Sequence, residues 1–277
     1  MSDVAFVEVG DRVFVLRHPV LDVNVTLVPG AEVAVVVDTL SSTAQGLALV
    51  EAARRITALP FVVVNTHHHF DHWLGNAAVV AEPPGTVWAH EVTATVLRER
   101  GDEVRRHAYR EIPLENADLA AEISASTVLA PSHPVHREAE VDLGGRSVVL
   151  RHLGRGHTAG DLTVHVPDAD VLVAGDLLEE GAPPQFDDGY PLEWPETVEA
   201  LLGYASPATA IVPGHGAVLG VEAARGQHAD LAATAWSIRD GHADGAPVDR
   251  VAGQVPFDRQ TALVAVRRGY AELAGDG

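Results

Sequence analysis

Cysteine is absent from the 277-residue sequence. Disulfides, thiolate metal ligands and a cysteine nucleophile are therefore excluded, and any metal must be held by histidine and carboxylate. Lysine is absent as well, since all 19 basic residues are arginine. That removes Schiff-base chemistry and the lysine of a phosphate-binding P-loop. No apolar run approaches the roughly 20 residues needed to cross a bilayer, so no membrane partner is expected. The opening MSDVAFVEVGDRVF carries Asp3, Glu8 and Asp11 where an export signal needs basic residues and then an apolar stretch. A cytoplasmic location is the expectation. The formal net charge of −20 repels phosphodiester backbones and argues against nucleic acid, which leaves a small-molecule substrate.

What is present suffices for a core. Hydrophobic residues make up 47% of the chain, enough for one large domain over 1–277. Strands are expected at 4–9, 12–17, 23–28, 32–38 and 61–65, with turn signals at Gly10–Asp11 and Pro29–Gly30. Ser41, Ser42 or Thr43 is placed to cap a helix over 43–57, where Leu47, Val50 and Ile56 recur near helical spacing. The second half repeats this grammar, with strands at 139–143, 146–151, 161–166, 170–174 and 209–213. Helices are expected near 195–204, 221–240 and 258–274. The segment 91–136 reads as a helical lid or wall, and 241–277 as a C-terminal helical extension. Two strand-rich halves with interspersed helices fit two sheets packed face to face with helices outside.

The informative segment is NTHHHFDHWLGN at 65–76. It sets His67, His69, Asp71 and His72 directly after an apolar strand, where a tight loop can aim several side chains at one point. Imidazole and carboxylate together suit Zn²⁺ or Fe²⁺. Alternation points His68 away from His67 and His69, into a structural or supporting role. The run is internal and broken by Phe70 and Asp71, unlike a solvated polyhistidine stretch.

His67-His68-His69-Phe70-Asp71-His72 resembles the His-x-His-x-Asp-His motif of the metallo-β-lactamase superfamily. The later motifs of that family follow in order: GRGHTAGD with His157, LVAGD with Asp176, and VPGHG with His215. The resemblance runs from about Val4 to Leu219. It implies an α+β fold, a four-layer αββα sandwich, and a two-metal hydrolase carrying two Zn²⁺, with iron or manganese as alternatives. By the same resemblance His67, His69 and His157 hold one metal, Asp71, His72 and His215 the other, and Asp176 lies between them. A hydroxide shared by the two metals would attack an ester, thioester, lactone or related bond. Asp71, the catalytic side chain implied, would orient it and pass a proton to the leaving group. Asp38 matches a recurrent supporting position of the family and reads equally well as a strand-end turn residue.

Within the superfamily, THHHFDHWLGN and GHTAGDL are similar to glyoxalase II, a thioesterase. VPGHG resembles lactonase and esterase branches instead. A true β-lactamase is disfavoured by the presence of Asp176, the absence of cysteine and the lack of an export signal. The rival from another class is the persulfide dioxygenase branch, with one iron on His67, His157 and Asp176. Trp73, Phe186, Tyr190 and Trp194 flank metal-bearing segments and are candidates for a pocket mouth, although ordinary packing is the better reading of Trp194. The Pro-, Gly- and Asp-rich segment 178–194 is expected to overhang the site. His18, His107, His133, His136, His228 and His242 read as surface residues, and His90, His152 and His165 as core or supporting groups.

Overall fold

The computed structural model describes residues 5–80 and 85–275. Val4, the first residue of the first expected strand, lies outside them. Among the described residues one sheet has seven strands in sequential order: β1 (Val7–Gly10), β2 (Val13–Arg17), β3 (Asn24–Pro29), β4 (Ala34–Val37), β5 (Phe61–Val64), β6 (Val87–His90) and β7 (His133–Val135). It runs antiparallel from β1 to β4 and parallel from β4 to β7. The second sheet has six: β8 (Glu138–Asp142), β9 (Ser147–Arg151), β10 (Thr163–Val166), β11 (Val171–Gly175), β12 (Ala210–Pro213) and β13 (Leu219–Gly220). Its β11–β12 pair is parallel.

Period-two side-chain alternation builds the layers. Val35 and Val37 of β4 join Val164, Val166, Val171 and Val173 of the other sheet in the core between the sheets. Val36 faces outward onto Leu49, Ala52 and Ala53 of α1 (Thr43–Arg54). On the second sheet Leu172, Ala174 and Ile211 face outward. They pack under the helices Trp194–Leu202 and Val221–Ala243 and the C-terminal helix Arg259–Ala274. Helix, sheet, sheet, helix is the four-layer arrangement expected. No helix among the described residues is long and apolar enough to cross a membrane.

Three local readings change. Ser42 caps α1, accepting from Gln45 N at 3.0 Å, but the helix ends at Arg54 and buries a different face. Leu47 and Ile56 are exposed, while Gln45, Gly46, Leu49, Ala52 and Ala53 are buried. Small residues win because a Cβ at Gly46 would lie 2.8 Å from the Gly75 carbonyl, on the helical turn beside the metal loop. Strands β6 and β7 escape periodicity because they have four and three residues. Pro134 is tolerated because β7 is an edge. His18 is buried rather than on the surface, its Nδ1 receiving Val20 N at 3.3 Å.

Between β6 and β7 the chain inserts two helices, 91–111 and 117–125. Leu97, Leu119 and Ile123 from them pack on Trp73 and Leu74. They brace the turn α2 (Phe70–Trp73), which carries Asp71 and His72. The strand ends that carry the site lie together. β4 pairs with β5 through Val37 and Val64, so Asp38 and Asn65 leave the sheet side by side. β11 pairs with β12 through Gly175 and Pro213, which brings Asp176 against Gly214. Carboxyl ends of parallel strands are where open α/β sheets collect ligands.

Candidate metal centre

All seven residues expected at the centre converge. One group comprises His67, His69, His157 and Asp176, and a second Asp71, His72 and His215. Asp176 sits between them: its Oδ2 lies 3.7 Å from His67 Nε2, 3.5 Å from His157 Nε2 and 3.3 Å from His215 Nε2. Its Oδ1 lies 3.3 Å from His72 Nε2. Asp71 Oδ2 stands 3.7 Å from His72 Nε2 and 3.5 Å from His215 Nε2. Gly214 must be glycine, because a Cβ there would fall 1.7 Å from Asp176 Oδ1.

The hydrogen bonds behind the rings decide which way each imidazole presents its lone pair. His72 donates from Nδ1 to Asp38 Oδ2 at 2.8 Å, and His215 from Nδ1 to Leu21 O at 2.7 Å. His157 donates from Nδ1 to Gln185 O at 3.2 Å. Thr66 Oγ1 spends its proton on Asp38 Oδ2 at 2.8 Å, so it accepts from His67 Nδ1 at 3.0 Å. His69 is reversed: Nε2 donates to Asp188 Oδ1 at 3.0 Å and Nδ1 faces inward. All five rings thus turn their second nitrogen toward one space, a lone pair wherever the ring is neutral. His157 Nε2 and His69 Nδ1 face each other at 2.7 Å, and His72 Nε2 and His215 Nε2 at 3.3 Å. Lone pairs so placed repel unless a cation or proton lies between them. His67 Nε2 and Asp176 Oδ1 are buried with no hydrogen-bond partner among the described residues, which is costly unless a cation completes them. The donor set fits divalent metal.

Charge follows the same division. Burial and the neighbouring rings His72, His69 and His157 hold the His67 pKa well below its ordinary value against the pull of Asp176. Burial and His69 lower His157 to about 3. On the other side burial works against charge on His72, but Asp176, Asp71 and Asp38 outweigh it and push its pKa up to about 9. At His215 the same contest, won by Asp176, raises the pKa to about 11.

Asp38 does more than end a strand. It is buried and left-handed at φ 64°, and it takes Thr66 N at 2.8 Å as well as His72. Two supporting carboxylates were not singled out from the sequence. Asp161, the last residue of GHTAGD, accepts Thr158 N and Oγ1 at 2.9 and 2.7 Å and ties the His157 loop; burial pushes its pKa up to about 7. Asp188 takes His69, and also His68 Nε2 at 3.1 Å through its other oxygen. The only signal for it was the Asp-Asp-Gly turn inside the segment expected to overhang the site. Trp73 and Phe186 are corrected as pocket candidates, whereas Trp194 packs as expected. Trp73, Phe186 and Trp194 are fully buried packing groups, with the Trp73 and Trp194 indoles donating to His68 O and Leu177 O. Tyr190 is half-buried against Arg155, 4.1 Å from its ring centroid.

The sequence model of the metallo-β-lactamase superfamily matches residues 18–215, most of the chain. The chain belongs to that superfamily. Superfamily relatives include the metallo-β-lactamase IND-1 of Chryseobacterium indologenes, 38% identical over 78 residues, covering 26% of this chain and 32% of that protein. A type 2 metallo-β-lactamase of Bacillus sp. (strain 170) is 27% identical over 128 residues, 45% of this chain and 46% of that one. The chain spans less than half the length of these relatives. Among solved structures, the metallo-β-lactamase from Pontibacter korlensis superposes with a TM-score of 0.66 at 19% identity, covering 83% of this chain and 99% of the other. FIM-1 from Pseudomonas aeruginosa, in its mono-zinc form, gives 0.63 at 18%, covering 83% and 94%. These likenesses establish the superfamily fold.

Proposed function

We propose that the chain is a two-metal hydrolase of uncharged acyl bonds: esters, thioesters or lactones. The observation that carries this reading is the inward-facing nitrogen of each of five imidazoles around Asp176, with His67 Nε2 and Asp176 Oδ1 buried and unpartnered among the described residues. His67, His69 and His157 would hold one zinc-class ion, Asp71, His72 and His215 the second, with Asp176 shared. Such ions acidify a water and polarise a carbonyl oxygen. The chain's own residues do the rest. Asp38, Asp188 and the carbonyls of Leu21 and Gln185 fix the rings, and Asp71 orients the attacking water and returns a proton to the leaving group.

The one-iron reading on His67, His157 and Asp176 leaves the converging Asp71, His72 and His215 without an ion to hold, which disfavours it. The rim bears on the substrate. Near His215 stand Asp22 and Glu180, and near His69 stands Asp188. Arg17 there is committed to Asp22 at 2.5 Å. A rim of this sign favours neutral over anionic substrates, whereas β-lactam antibiotics, which the relatives' names imply, bring a carboxylate.

Metal analysis, then a panel of lactones, thioesters, aryl esters and a β-lactam, tests the reading. Two ions per chain and solvent oxygen in the acid product are expected. Asp176→Asn should lose one ion and most of the rate with the fold intact. Incorporation from molecular oxygen, or a fully active two-ion Asp176→Asn protein, would overturn it.

A further inference from the structure

The support of His69 reaches beyond the matched region, into the C-terminal helix. Asp188 belongs to the irregular loop between β11 and the helix Trp194–Leu202, and its side chain is 45% exposed. An exposed carboxylate on an irregular loop holds an imidazole poorly unless its backbone is fixed. Here the backbone on its C-terminal side is fixed twice. Tyr190 N donates to Gly156 O at 2.7 Å, one residue before His157. From the C-terminal helix Arg268 Nε donates to Gly189 O at 3.2 Å, with its guanidinium carbon 5.9 Å from the Tyr190 ring centroid. Two residues on, Leu192 N donates to Glu272 Oε2, and Arg239 Nη2 to Leu192 O, both at 3.1 Å. The space under the loop is closed, since a Cβ on Gly189 would sit 3.3 Å from Gly156 O and 3.4 Å from His157 O.

We propose that Arg268 is a positioning residue for the metal centre. By holding the peptide next to Asp188 it keeps that carboxylate on His69 Nε2, so that His69 Nδ1 stays turned toward His157 and Asp176. A guanidinium N–H to a carbonyl is a charge-assisted bond, and it comes from residue 268, outside the 18–215 span that defines the family. The proposal rests on the metal-centre reading above.

Competition of zinc against a chromophoric chelator, on the full-length chain stripped of metal, tests it. Arg268→Met should weaken one of two zinc ions roughly ten-fold, the usual scale for a lost supporting contact, and leave the other within about two-fold. Arg268→Lys, which keeps a cationic donor, should recover most of the loss. Asp188→Ala should weaken the same ion at least as much, and Asp188→Ala/Arg268→Met no more than Asp188→Ala alone. Wild-type affinity for both ions in Arg268→Met overturns the proposal. So does a full additional loss in the double variant, which would mean that Arg268 acts through the fold. Wild-type protein that binds no zinc overturns the metal-centre reading itself, before any variant is made.

Discussion

Asp38 Oδ2 accepts the Nδ1 proton of His72 at 2.8 Å, and Asp38 does so from a left-handed backbone at φ 64°. A non-glycine residue in that region is held there by its surroundings, usually at a functional position. The pair fastens the end of β4 to the metal loop and leaves His72 Nε2 no direction but inward. Asp38→Asn is an informative variant because asparagine tolerates the left-handed conformation. Its amide group, however, cannot accept from both Thr66 and His72 as the carboxylate does. The expected result is a ten- to hundred-fold weaker ion on Asp71, His72 and His215, with about 1–3 kcal/mol lost from stability. Metal titration and urea unfolding measure both. Two ions at wild-type affinity would reduce Asp38 to a turn residue.

Three of the ligands were legible because each sits within a few residues of an apolar strand end: His67 after β5, Asp176 after β11, His215 after β12. Strand ends are the part of this fold that short motifs mark. Asp188 was not legible, since its place depends on Arg268, 80 residues later, and no local pattern encodes such a contact. The face of α1 was misread for a related reason: its buried side is chosen by close approach of small residues to Gly75 and Ala78 rather than by its largest apolar side chains. Trp73 and Phe186 were near the metal segments in sequence, but a large apolar ring gains more from full burial than from lining a polar rim.

Proton competition should separate the two halves of the centre. His72 and His215, with pKa raised to about 9 and about 11, carry protons at neutral pH that a metal must displace. His67 and His157 are depressed and already neutral, and of their group only His69 is raised. Ligand imidazoles bind metal as the neutral form, so affinity rises with pH by one decade per proton released. Between pH 6 and 7.5, log affinity should rise by about two per pH unit for the Asp71, His72, His215 ion and less steeply for the other. Chelator competition at several pH values gives both slopes. Equal slopes would contradict the charge assignment.

Glu179 supplies the last test. It lies three residues beyond Asp176, 5% exposed, with Oε1 buried and unpartnered among the described residues. Burial, and then the negative charge of Asp176, push its pKa up to about 8, while Asp176 itself is held well below the ordinary range by His72, His215 and His67 despite its burial. The proton of this acidic pair therefore sits on Glu179. The folded-state pKa exceeds the unfolded value near 4.5, so between those two pH values the folded chain binds more protons. Glu179's contribution to stability is complete below about pH 4.5 and is lost as pH rises through about 8. Glutamine matches the protonated acid in shape and cannot ionise. In metal-free protein, Glu179→Gln and wild type should be similarly stable at pH 5, and the variant should gain on wild type by about 1 kcal/mol per pH unit from there toward pH 8. Urea unfolding at four pH values measures the divergence. Parallel stability curves would show that Glu179 is ionised in the folded chain and that the buried proton lies elsewhere.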